Sequence, residues 1–198
     1  MIPLLEIPWL EAVSTFFAAS YVVLAIRQNA LCWPSGIIAV TLMFIVLLES
    51  KLYPSALLQI YFFGMSVYGW YEWKRGGKEH HGVHVHWWPV TWHLIAVAVI
   101  LTAAVISGWF WSATEAANPY LDSLVMLSSI VATFMVARKI IENWIYWIIT
   151  DIVYVYLYLS NDLYFYAGLS VFYMIMASIG LRAWMIDWRK HHYAAFGT

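Results

Sequence analysis

Seven apolar runs of roughly 20 residues, divided by short polar joins, leave this 198-residue chain almost no choice of solvent. They extend from Trp9 to Ile26, Trp33 to Leu48, Leu52 to Tyr71, Pro89 to Phe110, Tyr120 to Ala137, Trp144 to Leu159 and Leu163 to Ile186. Coiled as helices rising about 1.5 Å per residue, runs of this length cross about 30 Å of hydrocarbon. Hydrophobic residues make up 64% of the chain and charged ones 11%, and a chain this short cannot hide so much apolar surface within itself. The predicted fold is therefore an all-α integral membrane protein of seven transmembrane helices. A net charge of -1 gives no basic field for nucleic acid. Glu6 and Glu11 stand where a cleaved signal peptide needs basic residues, so the first run is read as a span.

Basic residues near span ends stay on the cytoplasmic side. With the N-terminus outside, Arg27, Lys74, Arg75, Lys78, Arg138, Lys139, Arg182, Arg189 and Lys190 all fall inside and only Lys51 falls outside. The expected orientation is N-terminus outside and C-terminus cytoplasmic.

Shifted by 111 residues, the first three runs align with the last three. Pro8, Arg27, Trp33, Leu48, Leu52, Tyr53, Gly69 and Trp73 meet Pro119, Arg138, Trp144, Leu159, Leu163, Tyr164, Gly180 and Trp184 without a gap. Apolar coincidences are cheap in membrane chains, but matched Pro, Arg, Gly and Trp at one constant shift are not. Three spans per unit would invert the second unit, and the unmatched fourth span restores its direction. The expected organisation is a 3+1+3 parallel repeat of the kind seen in SWEET-type transporters: a first bundle over 1–73, a cytoplasmic loop over 74–88, a linker helix over 89–111, a second bundle over 112–186 and a cytoplasmic tail over 187–198. Paired bundles with a site between them can open alternately to either side, which favours a transporter.

Asp151 is the one charged residue well inside a span, about 10 Å beyond Trp144 at 1.5 Å per residue. Such a group faces a cavity or a partner and points to function, the alternative being a structural hydrogen bond between helices. Asn143, Trp147, Asp151, Tyr154 and Tyr158 recur at helical spacing, with Trp144 on the adjoining edge. Gln59, Phe63, Ser66, Trp70 and Trp73 form a comparable stripe in the third run, and Ser170, Tyr173, Ala177 and Trp184 in the seventh. Aromatic faces with an amide and a carboxylate suit a flat polar or cationic ring. Headgroup belts account for Trp9, Trp87, Trp88, Trp109 and Trp111.

His80, His81, His84 and His86 cluster in the loop, without a cysteine and outside the repeat, and are read as solvated rather than as a metal site. Cys32, the single cysteine, is read as a packing residue, and no cofactor is expected. A membrane hydrolase would use Asp151 with a histidine, or a loop metal, but His93 lies in the fourth span and no second carboxylate sits at interior depth to complete an acid/base pair. No phosphate loop, nucleophile elbow or metalloprotease motif appears, so an enzyme is not expected.

Trp33-Pro34-Ser35-Gly36, Lys51-Leu52-Tyr53, Leu58-Gln59, Tyr68-Gly69-Trp70-Tyr71 and Trp73, then Asn143-Trp144-Ile145-Tyr146-Trp147 with Asp151, Leu163-Tyr164, Gly180 and Trp184, resemble the PnuC family of bacterial nicotinamide riboside transporters. The resemblance implies facilitated diffusion of nicotinamide riboside across the inner membrane by a homotrimer, with uptake driven by a cytoplasmic kinase that traps the nucleoside. By motif it makes Asn143, Trp144, Trp147 and Gln59 recognition residues; Trp70, Trp73, Asp151, Tyr173 and Trp184 extend that set by their place on the same faces. The rival substrates are other vitamin-like rings such as riboflavin or thiamine.

Overall fold

The computed structural model describes residues 8–49, 53–77, 82–113, 118–160 and 164–194. These form seven α-helices: α1 Pro8–Ile26, α2 Cys32–Glu49, α3 Tyr53–Arg75, α4 Val90–Trp111, α5 Pro119–Ala137, α6 Asn143–Ser160 and α7 Tyr164–Ala194. The chain divides into two compact units, Met1–His84 and Val85–Thr198. Among the described residues three segments are long and apolar enough to cross a membrane by themselves: Val90–Trp111, Pro119–Ala137 and Ala167–His191. Shorter apolar stretches run over Ala12–Ile26 and Cys32–Ile45. The two helices in neither set, α3 and α6, are those interrupted by Gln59, Ser66, Asn143, Thr150 and Asp151. They depend on packing against their neighbours to shield these groups from lipid.

Helix α7 continues past Ile186 to Ala194 and so takes in much of the 187–198 segment. Nothing between Asp187 and His192 breaks a helix, and His191 Nδ1 reaches back one turn to the Asp187 carbonyl oxygen at 3.0 Å.

In the first unit α2 packs against both α1 and α3. Small residues bring the helices close, as membrane packing requires. Ser35 Oγ donates to the Phe17 carbonyl at 2.9 Å, and a Cβ added to Gly36 would lie 3.1 Å from the Tyr21 ring and 3.2 Å from Ser66 Oγ. Cys32 is fully buried and fills space here, and its neighbour Trp33 is equally enclosed.

In the second unit the helices pack in order, α4 on α5, α5 on α6 and α6 on α7. The linker helix α4 is thus not free-standing. Ala96, Ile100, Ala104 and Gly108 form its one buried stripe, against which the Tyr120 ring lies so close that a Gly108 Cβ would come to 2.5 Å. Ser123 Oγ donates to Ser107 Oγ at 3.0 Å across the same contact. The remaining faces of α4 expose Val90, Leu94, Val99, Val105 and Trp109, a surface suited to acyl chains.

The joins α1–α2 and α5–α6 repeat bond for bond at a shift of 111. Gln28 and Lys139 both take left-handed backbone conformations, φ 54° and 53°. Asn29 N donates to Leu24 O and Ile140 N to Met135 O, each at 2.9 Å; Gln28 N donates to Ala25 O and Lys139 N to Val136 O, each at 3.0 Å. These are Schellman closures, which satisfy the last carbonyls of a helix while turning the chain sharply into the next one.

Candidate functional site

The N-terminal end of α6 is held from three sides. Asn143 Nδ2 donates to the Ile140 carbonyl at 2.6 Å. The reverse amide orientation would press two oxygens together at that distance, so the side chain is fixed with its Oδ1 free. Preceding it, the strap after the loop runs parallel to the α5–α6 join: His86 N donates to Lys139 O at 3.2 Å and Ile141 N to His86 O at 3.0 Å. Glu142, buried, takes the Trp88 backbone N–H on both carboxylate oxygens, at 3.2 and 3.3 Å.

From this anchored end, one stripe of α6 carries Asn143, Trp144, Trp147, Thr150 and Asp151. Four buried side-chain polar atoms lack a hydrogen-bond partner among the described residues: Trp33 Nε1, Asn143 Oδ1, Trp144 Nε1 and Thr150 Oγ1. Three of them lie on this stripe. An unmet buried donor or acceptor costs about 1–3 kcal/mol, so such a concentration on one helix face marks where a polar guest would be stabilised. Asn143 contributes an acceptor and Trp144, the next residue, a donor. Asp151, about two turns further along the helix, is also buried and lies within electrostatic reach of Tyr154 on its own helix and Tyr173 on α7. Tyr154 hydrogen-bonds Ser129 of α5 and stacks on Tyr158 with ring centroids 5.5 Å apart. Trp147 and Tyr173 are half-buried.

Trp144 is fixed by a matched pair of residues on α7. The Trp184 ring meets it edge to face, centroids 5.3 Å apart at 86°, and Gly180 lies under it so closely that a Cβ there would come within 2.7 Å of the indole. The first unit repeats this arrangement 111 residues earlier. Trp33 and Trp73 meet at 5.4 Å and 85°, over Gly69, whose Cβ would come to 2.3 Å.

The nicotinamide mononucleotide transporter family matches residues 8–186. The chain belongs to the PnuC family. Among PnuC relatives, the nicotinamide riboside transporter PnuC of Escherichia coli strain K12 is 29% identical over 214 aligned positions, covering 93% of this chain and 88% of that protein. The riboflavin/roseoflavin transporter RibM of Streptomyces davaonensis is 27% identical over 191 positions, with the same coverages. The crystal structure of a vitamin B3 transporter PnuC shares the fold, with a TM-score of 0.73 at 22% identity over 92% of this chain and 83% of that one. The relatives are transporters, and this PnuC-family chain is a multi-pass membrane protein of the same kind, not an enzyme.

Within this PnuC-family chain, several residues singled out by sequence make contacts of their own. Trp184 is fully buried and Trp73 nearly so; each meets another tryptophan edge to face. Trp70 is exposed, and the ammonium of Lys74 sits 5.2 Å from its ring centroid. That face already holds a cation. Gln59 is half-buried on α3 and Phe63 is exposed, while Ser66, Gly69 and Trp73 form the buried stripe. The sequence stripe is therefore split, because steps of three and four residues spread over a broad arc of the helix surface.

His93 has a carboxylate partner from the α5–α6 join: Nε2 lies 2.9 Å from Glu142 Oε1 and Nδ1 lies 3.2 Å from the Tyr146 hydroxyl. Glu142 stands in a join, where depth along the sequence gives no sign of burial. Trp88 does more than anchor a belt, its ring packing against His93 and Phe134. Thr150 was not singled out, although it stands seven residues after Asn143, two helical turns on. His80 and His81 lie outside the described residues, whereas His84 and His86 are exposed.

Proposed function

We propose that this chain carries nicotinamide riboside across the inner membrane by facilitated diffusion, with alternating access between two bundles related as a 3+1+3 parallel repeat. The observation that carries this reading is the consecutive unmet acceptor and donor, Asn143 Oδ1 and Trp144 Nε1–H, at the anchored end of α6. A nicotinamide carboxamide offers the complementary pair, an NH₂ donor and a C=O acceptor. Trp147 and Trp144 present aromatic surface to the pyridinium cation, each such contact being worth about 0.5–2 kcal/mol. Asp151 and Thr150 lie further along the stripe, where a ribose hydroxyl can donate to the carboxylate and pair with the threonine. Tyr173 extends this set from α7, and the family resemblance adds Gln59 as a recognition residue.

The family description names the mononucleotide, but the chemistry favours the nucleoside. α6 contains no Lys or Arg, so a phosphate would enter without a partner and beside the Asp151 carboxylate. Excluding the phosphorylated form is what trapping by a cytoplasmic kinase requires. A homotrimer with N-termini outside completes the reading. The similarity to RibM supports a second reading, a flavin as cargo.

Proteoliposomes containing only this chain decide between them. Labelled nicotinamide riboside is expected to enter saturably with no ion gradient or ATP, and nicotinamide mononucleotide at least tenfold more slowly. Entry of riboflavin with none of the nucleoside transfers the assignment to the flavin.

Asp151→Asn tests the charge in the same assay. Hydrogen bonds to charged groups contribute about 1.5–3 kcal/mol, so affinity for the cationic nucleoside is expected to fall about tenfold. The reduced nucleoside, which keeps the same ribose hydroxyls, should lose affinity by a similar factor. Equal affinities before and after substitution would assign Asp151 a purely structural role.

A further inference from the structure

We propose that Glu142 and His93 form a latch that positions Asn143 and Trp144, so that the linker helix α4 sets substrate affinity without touching substrate. This rests on the recognition role given above to the N-terminal end of α6.

Glu142 immediately precedes Asn143 and is enclosed, at 9% exposure, between the strap and α4. Glu142 joins three parts of the second unit. The strap reaches its carboxylate through the Trp88 N–H and α4 reaches it through His93 Nε2 at 2.9 Å, while its backbone carbonyl takes Ile145 N at 2.9 Å and Tyr146 N at 3.2 Å from its own helix. His93 closes the ring, its Nδ1 being 3.2 Å from the hydroxyl of Tyr146. Because a carboxylate only accepts, Nε2 carries the proton, and the Tyr146 hydroxyl donates to Nδ1.

The latch belongs to one unit alone. In the repeat register Glu142 corresponds to Leu31, which is 58% exposed, and Tyr146 corresponds to Ser35, which instead bonds the Phe17 carbonyl. His93 sits in the unmatched helix. The two joins are otherwise alike in backbone, so the shared turn does not require the latch. The recognition stripe is the feature that the second unit adds. A carboxylate held by two donors from two other segments fixes the azimuth of α6 and therefore the aim of the next two side chains.

The test compares Glu142→Leu, Glu142→Gln and the double variant His93→Leu/Glu142→Leu, the last leaving no buried charge unpaired. In proteoliposomes KM for nicotinamide riboside is expected to rise at least tenfold in Glu142→Leu and in the double variant, with maximal rate within about twofold of the parent. Glu142→Gln, which keeps an acceptor for Trp88, should recover to within about threefold. Hydrogen exchange, read without substrate, should accelerate at the amides of residues 140–146 in the two Leu-containing forms. Unchanged KM, or a fall in maximal rate at constant KM, overturns the latch. If the parent protein fails to carry the nucleoside while exchange still accelerates, the transport reading falls and the positioning role stands. Unchanged exchange removes the positioning role whatever is transported.

Discussion

Asn143→Leu, a change of little volume, is expected to raise the dissociation constant for nicotinamide riboside by about 10- to 100-fold. The side chain is fully buried, its amide nitrogen is committed to the Ile140 carbonyl, and its oxygen is left without a partner. Removing it deletes the acceptor that the proposed substrate would meet and leaves a carboxamide N–H unpaired in an enclosed site. That penalty is about 1–3 kcal/mol, and each 1.4 kcal/mol is about tenfold in affinity. Asn143→Asp is the informative partner: it keeps an acceptor but loses the donor to Ile140, so the side chain is no longer fixed. Isothermal titration in detergent checks both. Retention of full affinity in Asn143→Leu would remove this residue from recognition.

Gly180→Ala is expected to be as damaging, for a steric reason. The added methyl would meet three atoms of the Trp144 indole at 2.7 to 2.8 Å. The ring is rigid, buried and braced by Trp184, so either α7 retreats or the indole tips. Overpacking of this kind costs about 1–3 kcal/mol, and the tipped ring takes the Trp144 N–H out of line with Asn143. Affinity should drop at least tenfold, with a lowered melting temperature. Two controls separate the causes. Gly168→Ala on the same helix, where a Cβ would meet nothing within 4 Å, should leave binding unchanged. Gly180→Ala combined with Trp144→Phe makes room again, so melting temperature should recover while binding does not.

The matched Trp33–Gly69–Trp73 and Trp144–Gly180–Trp184 clusters show how much of this chain is legible without coordinates. Each pairs residues at one constant shift, and the reason for the glycine, an indole lying across the helix backbone, follows once the tryptophans are known to face it. The helix limits were legible to within a few residues because apolar length is a local property. The exceptions were the ends of α3 and α7, which run on as helix beyond the apolar stretch. Burial was not legible. Trp73, Trp184 and Trp70 look equivalent as letters on a helical stripe, yet two are enclosed buttresses and the third lies outside beneath Lys74.

By itself, the order of residues determined the solvent, the helices and the duplicated register, because span length, periodicity and internal repetition are written along the chain. Only tertiary structure decided which polar atoms go unsatisfied and which are latched. Glu142 and His93 stand 49 positions apart, and their meeting depends on how α4, the strap and α6 are packed together. Hydrogen-bond partnership over such a separation is fixed by packing, which no local pattern encodes.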